Sequence, residues 1–143
     1  MRVLVDTPVW SLALRRTRGD LGAREKHLVL ALQDLIHSRS VVLVGPVRQE
    51  VLSGIADELS FERVRDQLSE FPNEPLDVTD DEEAARCFNR FAARGIASSA
   101  TDCLLCAVAL NRHIPIFTRD RDFERYRKAV PLGIFDPSGG EPG

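Results

Sequence analysis

Five carboxylates in this sequence sit where an α/β fold gathers its chemistry. Asp6 closes the short apolar run Arg2-Val3-Leu4-Val5, and Asp120 and Asp122 follow Ile114-Pro115-Ile116-Phe117 almost at once. Both runs read as buried strands, so in a parallel sheet these three acids face the same edge. Glu50 lies about one turn into the helix opened by Gly45-Pro46, whose inward face is marked by Val47 and Val51. Asp102 stands in the first turn of the helix carrying Cys103-Leu104-Leu105-Cys106-Ala107-Val108-Ala109-Leu110, on a side that packs inward.

Carboxylates brought to one point raise one another's pKa, and a fold tolerates them only with a counter-charge. No Lys accompanies these five, and alternation sends Arg119 and Arg121 away from Asp120 and Asp122. A divalent cation is the simplest compensation, and an all-oxygen ligand set without His or Cys selects Mg²⁺ or Mn²⁺. Such an ion polarises a phosphoryl group and lowers the pKa of bound water. Each acid but Asp120 also has a plainer role open to it. Asp6 can serve the turn into Thr7-Pro8, Glu50 can be a solvated helix residue, Asp102 can complete a capping box with Ser99, and Asp122 can cap a short helix through Tyr126.

The elements that must position these residues alternate along the chain. Strands are expected at residues 2–6, 41–44 and 114–117, with weaker ones at 76–78 and 130–134. Between them, helices are expected from Pro8 to about residue 15, over 21–38, after Gly45-Pro46, over 60–71, over 80–93 behind a Thr79 cap, and from Ser99 to Leu110. Asp80, Asp81, Glu82 and Glu83 fill a first helical turn, where negative charge complements the helix dipole, and this cluster reads as structural. The alternation implies an α/β protein in three α/β/α layers, with a mostly parallel central sheet of four to five strands. Ligands in such sheets bind beyond the carboxyl ends of the strands.

With 143 residues there is room for one core, expected over residues 1–135, while the apolar-poor tail 136–143 reads as disordered. A net charge of −3 gives no bulk attraction for a polyanion, so any nucleic-acid affinity must be local. Lys26 and Lys128 are the only lysines among 19 basic residues, and Arg forks suit phosphates, although a codon bias explains the excess equally well. Three cysteines are an odd number for a disulfide framework, and Cys103-x-x-Cys106 inside an apolar run reads as buried side chains. Asp6 interrupts the first apolar run before a signal core forms, and no run approaches a membrane span. A cytoplasmic protein away from membranes is the expectation.

Taken together, Asp6-Thr7-Pro8-Val9-Trp10 after an apolar strand, Pro46 through Gln49-Glu50-Val51-Leu52-Ser53-Gly54, Asp102 opening an Ala-rich helix, and Thr118-x-Asp120-x-Asp122-Phe123 resemble a PIN-domain ribonuclease. Length and layout are most similar to the VapC toxins of bacterial toxin–antitoxin pairs, over about residues 2–135. Pro8 departs from the commoner Ser or Asn at its position. The resemblance implies a Mg²⁺-dependent endoribonuclease that cuts RNA by water attack, leaving a 3′-hydroxyl and a 5′-phosphate. It implies Asp6, Glu50, Asp102 and Asp120 as the catalytic, metal-binding quartet, Asp122 as an accessory ligand, and Thr7 and Thr118 as supporting hydroxyls. It further implies a homodimer, for which the apolar stripe from Leu28 to Ile36 is a candidate surface, and a cognate VapB-type antitoxin. RNA affinity in an acidic chain then calls on local arginines, with Arg15, Arg16, Arg18 and Arg119 as candidates.

Two other classes compete. A metal-dependent phosphatase expects D-x-D at the first strand, where this chain has Asp6-Thr7-Pro8, and a receiver-like phosphoacceptor expects a Lys just after a late strand, where neither Lys26 nor Lys128 is placed. A non-catalytic RNA- or protein-binding module of the same fold expects an acid to be lost, and none is.

Overall fold

The computed structural model describes residues 1–15 and 18–139, Arg18 without its side chain. Its centre is β1 (Val3–Val5), whose three residues are fully buried. Burial on both faces explains the unbroken apolar run. Parallel neighbours flank it: β2 (Val41–Val42) pairs Val41 with Val3, and β3 (Ile116–Phe117) pairs Phe117 with Val5, giving the order β2-β1-β3. Each fully buried aliphatic side chain here contributes about 1.5–3 kcal/mol relative to exposure.

Among the described residues the sheet has three strands, where four to five were expected. The stretches at 76–78 and 130–134 do not become strands; a Leu43–Asn73 and an Ile116–Ile134 bridge extend the ladder instead. Pro75 and Pro131 explain this, because each removes a ladder donor beside the expected strand. Residue 77 caps a helix rather than pairing, since the Asp77 carboxylate accepts the N–H groups of Thr79 and Asp80 and Asp80 returns the bond to Asp77 N–H. The helix cap is therefore Asp77 and not Thr79.

The helices surround the sheet in two groups. In the first, α1 (Thr7–Arg15) packs on α2 (Ala23–His37), α3 (Gly45–Leu52) and α4 (Glu58–Leu68). Trp10 of α1 is fully buried and meets Phe71 edge-on at 5.2 Å. In the second, α5 (Val78–Ala93) lies along α6 (Ala100–Arg112), followed by the short α7 (Asp122–Tyr126). In the acidic first turn of α5, Asp80 has a structural role. Asp80 is buried and takes a forked ion pair from Arg112 at 2.7 and 2.9 Å, which holds its carboxyl well below the usual range. Cys87, Cys103 and Cys106 are free and buried. Among the described residues, no helix is long and apolar enough to cross a membrane.

Candidate metal centre

Asp6 is where strand, turn and helix meet. Its N–H donates to the Phe117 carbonyl on β3, while its own carbonyl accepts from Val9 and Trp10 to start α1. The backbone is thus clamped on both sides, and the side chain is buried. The carboxylate accepts the Thr7 N–H at Oδ1 and the Thr118 hydroxyl at Oδ2, both at 2.8 Å. Burial pushes this carboxyl up to about 6 despite those two bonds, and the charges of Asp102 and Asp120 add to the rise.

The loop after β3 delivers the next two acids. Asp120 donates its N–H to the Thr118 hydroxyl and accepts the Asp122 N–H on Oδ1 at 2.9 Å, so the Thr118-x-Asp120-x-Asp122 spacing folds into successive side-chain turns. Asp102 arrives from α6. Ser99 caps that helix through the Asp102 N–H, but Asp102 does not reach back to complete a capping box; its Oδ2 accepts the Tyr126 hydroxyl at 2.6 Å. Burial holds Asp102 above the usual carboxylate range, aided by the charges of Asp120, Asp122 and Glu50.

One carboxylate oxygen from each of Asp102, Asp120 and Asp122 lies within 4.8 Å of the other two. Oxygens sharing one Mg²⁺ at about 2.1 Å stand at most about 4.2 Å apart, so small side-chain rotations bring these three onto one ion. The donor set fits a hard divalent cation: it is all oxygen, strained by mutual repulsion, and without a Lys. Arg125 offers partial compensation from the side, as an ion pair with Asp122. Glu50 is exposed at the rim, where it accepts the Thr7 hydroxyl at 2.7 Å, and it is not within ligand distance of the trio. Asp6 also stands outside the trio, coupled to it through charge.

A cleft of about 660 Å³ lined by Pro8, Ser11, Arg15, Arg119 and Asp120 opens beside these acids. A second of about 590 Å³ shares Arg119 and Asp120 and continues past Arg24 and Arg121. Arg119 pairs with Glu25 at 3.0 Å rather than with any of the five acids, although it shares both clefts with Asp120. Arg16 and the Arg18 side chain lie outside the described residues, as does the end of the tail, residues 140–143.

A family model of the PIN domain matches residues 3–129. The chain belongs to the PIN-domain family. Ribonuclease VapC11 of Mycobacterium tuberculosis is 28% identical over 124 residues, 85% of this chain and 89% of the relative. FitAcB from Neisseria gonorrhoeae shares the fold with a TM-score of 0.74 at 20% identity, covering 96% of this chain and 99% of that one. A toxin-antitoxin complex from Klebsiella pneumoniae shares it with a TM-score of 0.65 at 15% identity, covering 94% and 97%. In this PIN domain two contributors escaped the sequence reading. Tyr126 reaches Asp102 from α7, with no sequence signal for that contact. Arg125 lies three residues after Asp122, a spacing that brings side chains together on a helix and was visible in the sequence.

Proposed function

We propose that this PIN domain is a Mg²⁺- or Mn²⁺-dependent endoribonuclease toxin, held in check by a cognate VapB-type antitoxin and acting in the cytoplasm as a homodimer. The observation that carries this reading is the convergence of Asp102, Asp120 and Asp122 on one ion-sized space, with Asp6 held beside them. The ribonuclease name of the mycobacterial relative supports the substrate class, and the toxin-antitoxin complex among the structural neighbours supports the restraining partner.

In this reading Asp102, Asp120 and Asp122 hold the metal, Asp6 completes the inner face of the site, and Glu50 closes its rim. A divalent cation held there would supply the charge that polarises a phosphoryl group and lowers the pKa of a bound water. Thr7 and Thr118 orient Glu50 and Asp6 by donating their hydroxyls. Arg15 and Arg119, lining the cleft that runs up to Asp120, receive backbone phosphates of the RNA. Water adds to phosphorus, the P–O3′ bond breaks, and the departing 3′-oxygen takes up a proton, leaving a 3′-hydroxyl and a 5′-phosphate. The RNA cut is a tRNA, rRNA or mRNA.

The test is incubation of antitoxin-free protein with labelled total RNA, with Mg²⁺ or Mn²⁺ and with EDTA, beside an Asp6→Asn variant. Discrete fragments that require both metal and Asp6 are expected, and their ends name the substrate. Absence of cleavage by folded protein under either metal overturns the reading.

A further inference from the structure

We infer that Tyr126 is a positioning residue for the metal centre: its hydroxyl fixes the Asp102 carboxylate so that it cannot swing away from Asp120 and Asp122. The inference rests on the metal reading above and adds a residue from α7 to that site.

The ring of Tyr126 has one orientation available. It is buried, stacked on Phe91 of α5 with centroids 4.6 Å apart and planes at 24°, and it also makes an edge contact with Phe123 at 5.0 Å. Packed in this way against two aromatics, the phenol donates its O–H to Asp102 Oδ2 at 2.6 Å, within the range of charge-assisted O–H···O⁻ bonds. Asp102 Oδ1 accepts no hydrogen bond among the described residues, which leaves it free for another partner. Repulsion from Asp120 and Asp122 favours rotation of the Asp102 carboxylate out of the cluster. The bond to Oδ2 opposes that rotation. Asp6 is treated in the same manner by the Thr118 hydroxyl, so the buried Asp6 and the half-buried Asp102 are each held by a neutral O–H donor that adds no competing charge.

Tyr126→Phe keeps both ring contacts and removes only the hydroxyl. In the full chain, calorimetry is expected to show Mn²⁺ bound about tenfold more weakly, the lower end for loss of an outer partner to a metal ligand. The metal-free unfolding temperature is expected to change little. A purely structural tyrosine gives the reverse, a lower unfolding temperature with unchanged Mn²⁺ affinity, and that result overturns the inference. The chain contains one tyrosine, so ¹³Cζ labelling yields a single resonance in the unmodified protein. Mg²⁺ is expected to shift that resonance with the half-saturation that calorimetry gives for Mg²⁺ on the same protein. A resonance unmoved while Mg²⁺ binds also overturns the inference, and leaves the nuclease reading standing. No Mn²⁺ or Mg²⁺ binding by the unmodified chain overturns the metal reading, and this inference with it.

Discussion

The Thr118 hydroxyl donates to Asp6 Oδ2 at 2.8 Å, joining residues 112 positions apart at the ends of neighbouring strands. The same oxygen accepts the Asp120 N–H at 3.0 Å, so one small side chain sets the direction of one acid and the backbone position of another. Thr118→Val preserves shape and removes both bonds. An unsatisfied buried acceptor costs about 1–3 kcal/mol, which for a chain of this size lowers the unfolding temperature by several degrees. Mn²⁺ affinity is expected to fall about tenfold or more. Thr118→Ser is expected to restore most of it, and calorimetry on the pair decides whether the hydroxyl or the β-branch matters.

Asp6→Asn is expected to separate stability from activity. The raised pKa of Asp6 means that ionising it costs more in the folded chain than in the unfolded one. Folded-state stability from this group is therefore greatest below the ordinary carboxylate pKa and declines as pH rises from about 4 to about 6. At pH 7 without metal the acid is a liability of up to about 3 kcal/mol, the equivalent of two pKa units. The neutral variant is expected to melt a few degrees higher than the unmodified chain at pH 7 and to lose that advantage at pH 4, while RNA cleavage disappears. Differential scanning calorimetry at the two pH values checks the sign.

The five acids are not equivalent in the structure, and metal titration is expected to rank them. Asp120 belongs to the trio within ligand distance, whereas Glu50 stands exposed at the rim and is held by Thr7. Asp120→Asn is expected to weaken Mn²⁺ binding more than tenfold, and Glu50→Gln only a few-fold. Equal losses place Glu50 on the metal directly.

Much of this site was legible because its logic is local. An acid that closes a buried strand, as Asp6 does, and acids spaced by one residue after another strand, as Asp120 and Asp122 are, announce an edge of the sheet from hydrophobic patterning alone. What the pattern does not carry is reach between elements. Tyr126 reads as a core aromatic at its own position, and only the packing of α7 against α5 and α6 turns its hydroxyl toward Asp102. The same limit explains the missing strands. Val130 and Leu132 are buried as an apolar stretch should be, but Pro131 between them withholds a ladder donor. Asp77 outcompetes Thr79 as the α5 cap because its carboxylate takes two N–H groups and receives a reciprocal bond from Asp80.

The Asp80–Arg112 pair lies at the other end of α6, about 15 Å along the helix from Asp102. It is expected to govern acid stability without touching the metal centre. Arg112 holds Asp80 by two bonds and also reaches Glu74 and the Pro75 carbonyl, which ties the start of α5 to the end of α6. Because these bonds depress the Asp80 pKa, the unfolded chain takes up the Asp80 proton at a higher pH than the folded chain does. The stability from this pair is present above pH about 4 and is lost as pH falls toward the depressed value. Arg112→Met leaves the buried Asp80 carboxylate without its counter-charge, with only the Asn111 amide and the Asp77 N–H among the described residues donating to it, at a cost of about 3 kcal/mol at pH 7. The variant's stability is then expected to improve relative to the unmodified chain as pH drops and Asp80 protonates, so the two urea midpoints converge between pH 7 and pH 3. Asp80→Asn with Arg112→Met is expected to recover part of the loss at pH 7. Mn²⁺ affinity of the folded single variant should match the unmodified chain, and a weakened affinity means that the α5–α6 brace also sets the position of Asp102.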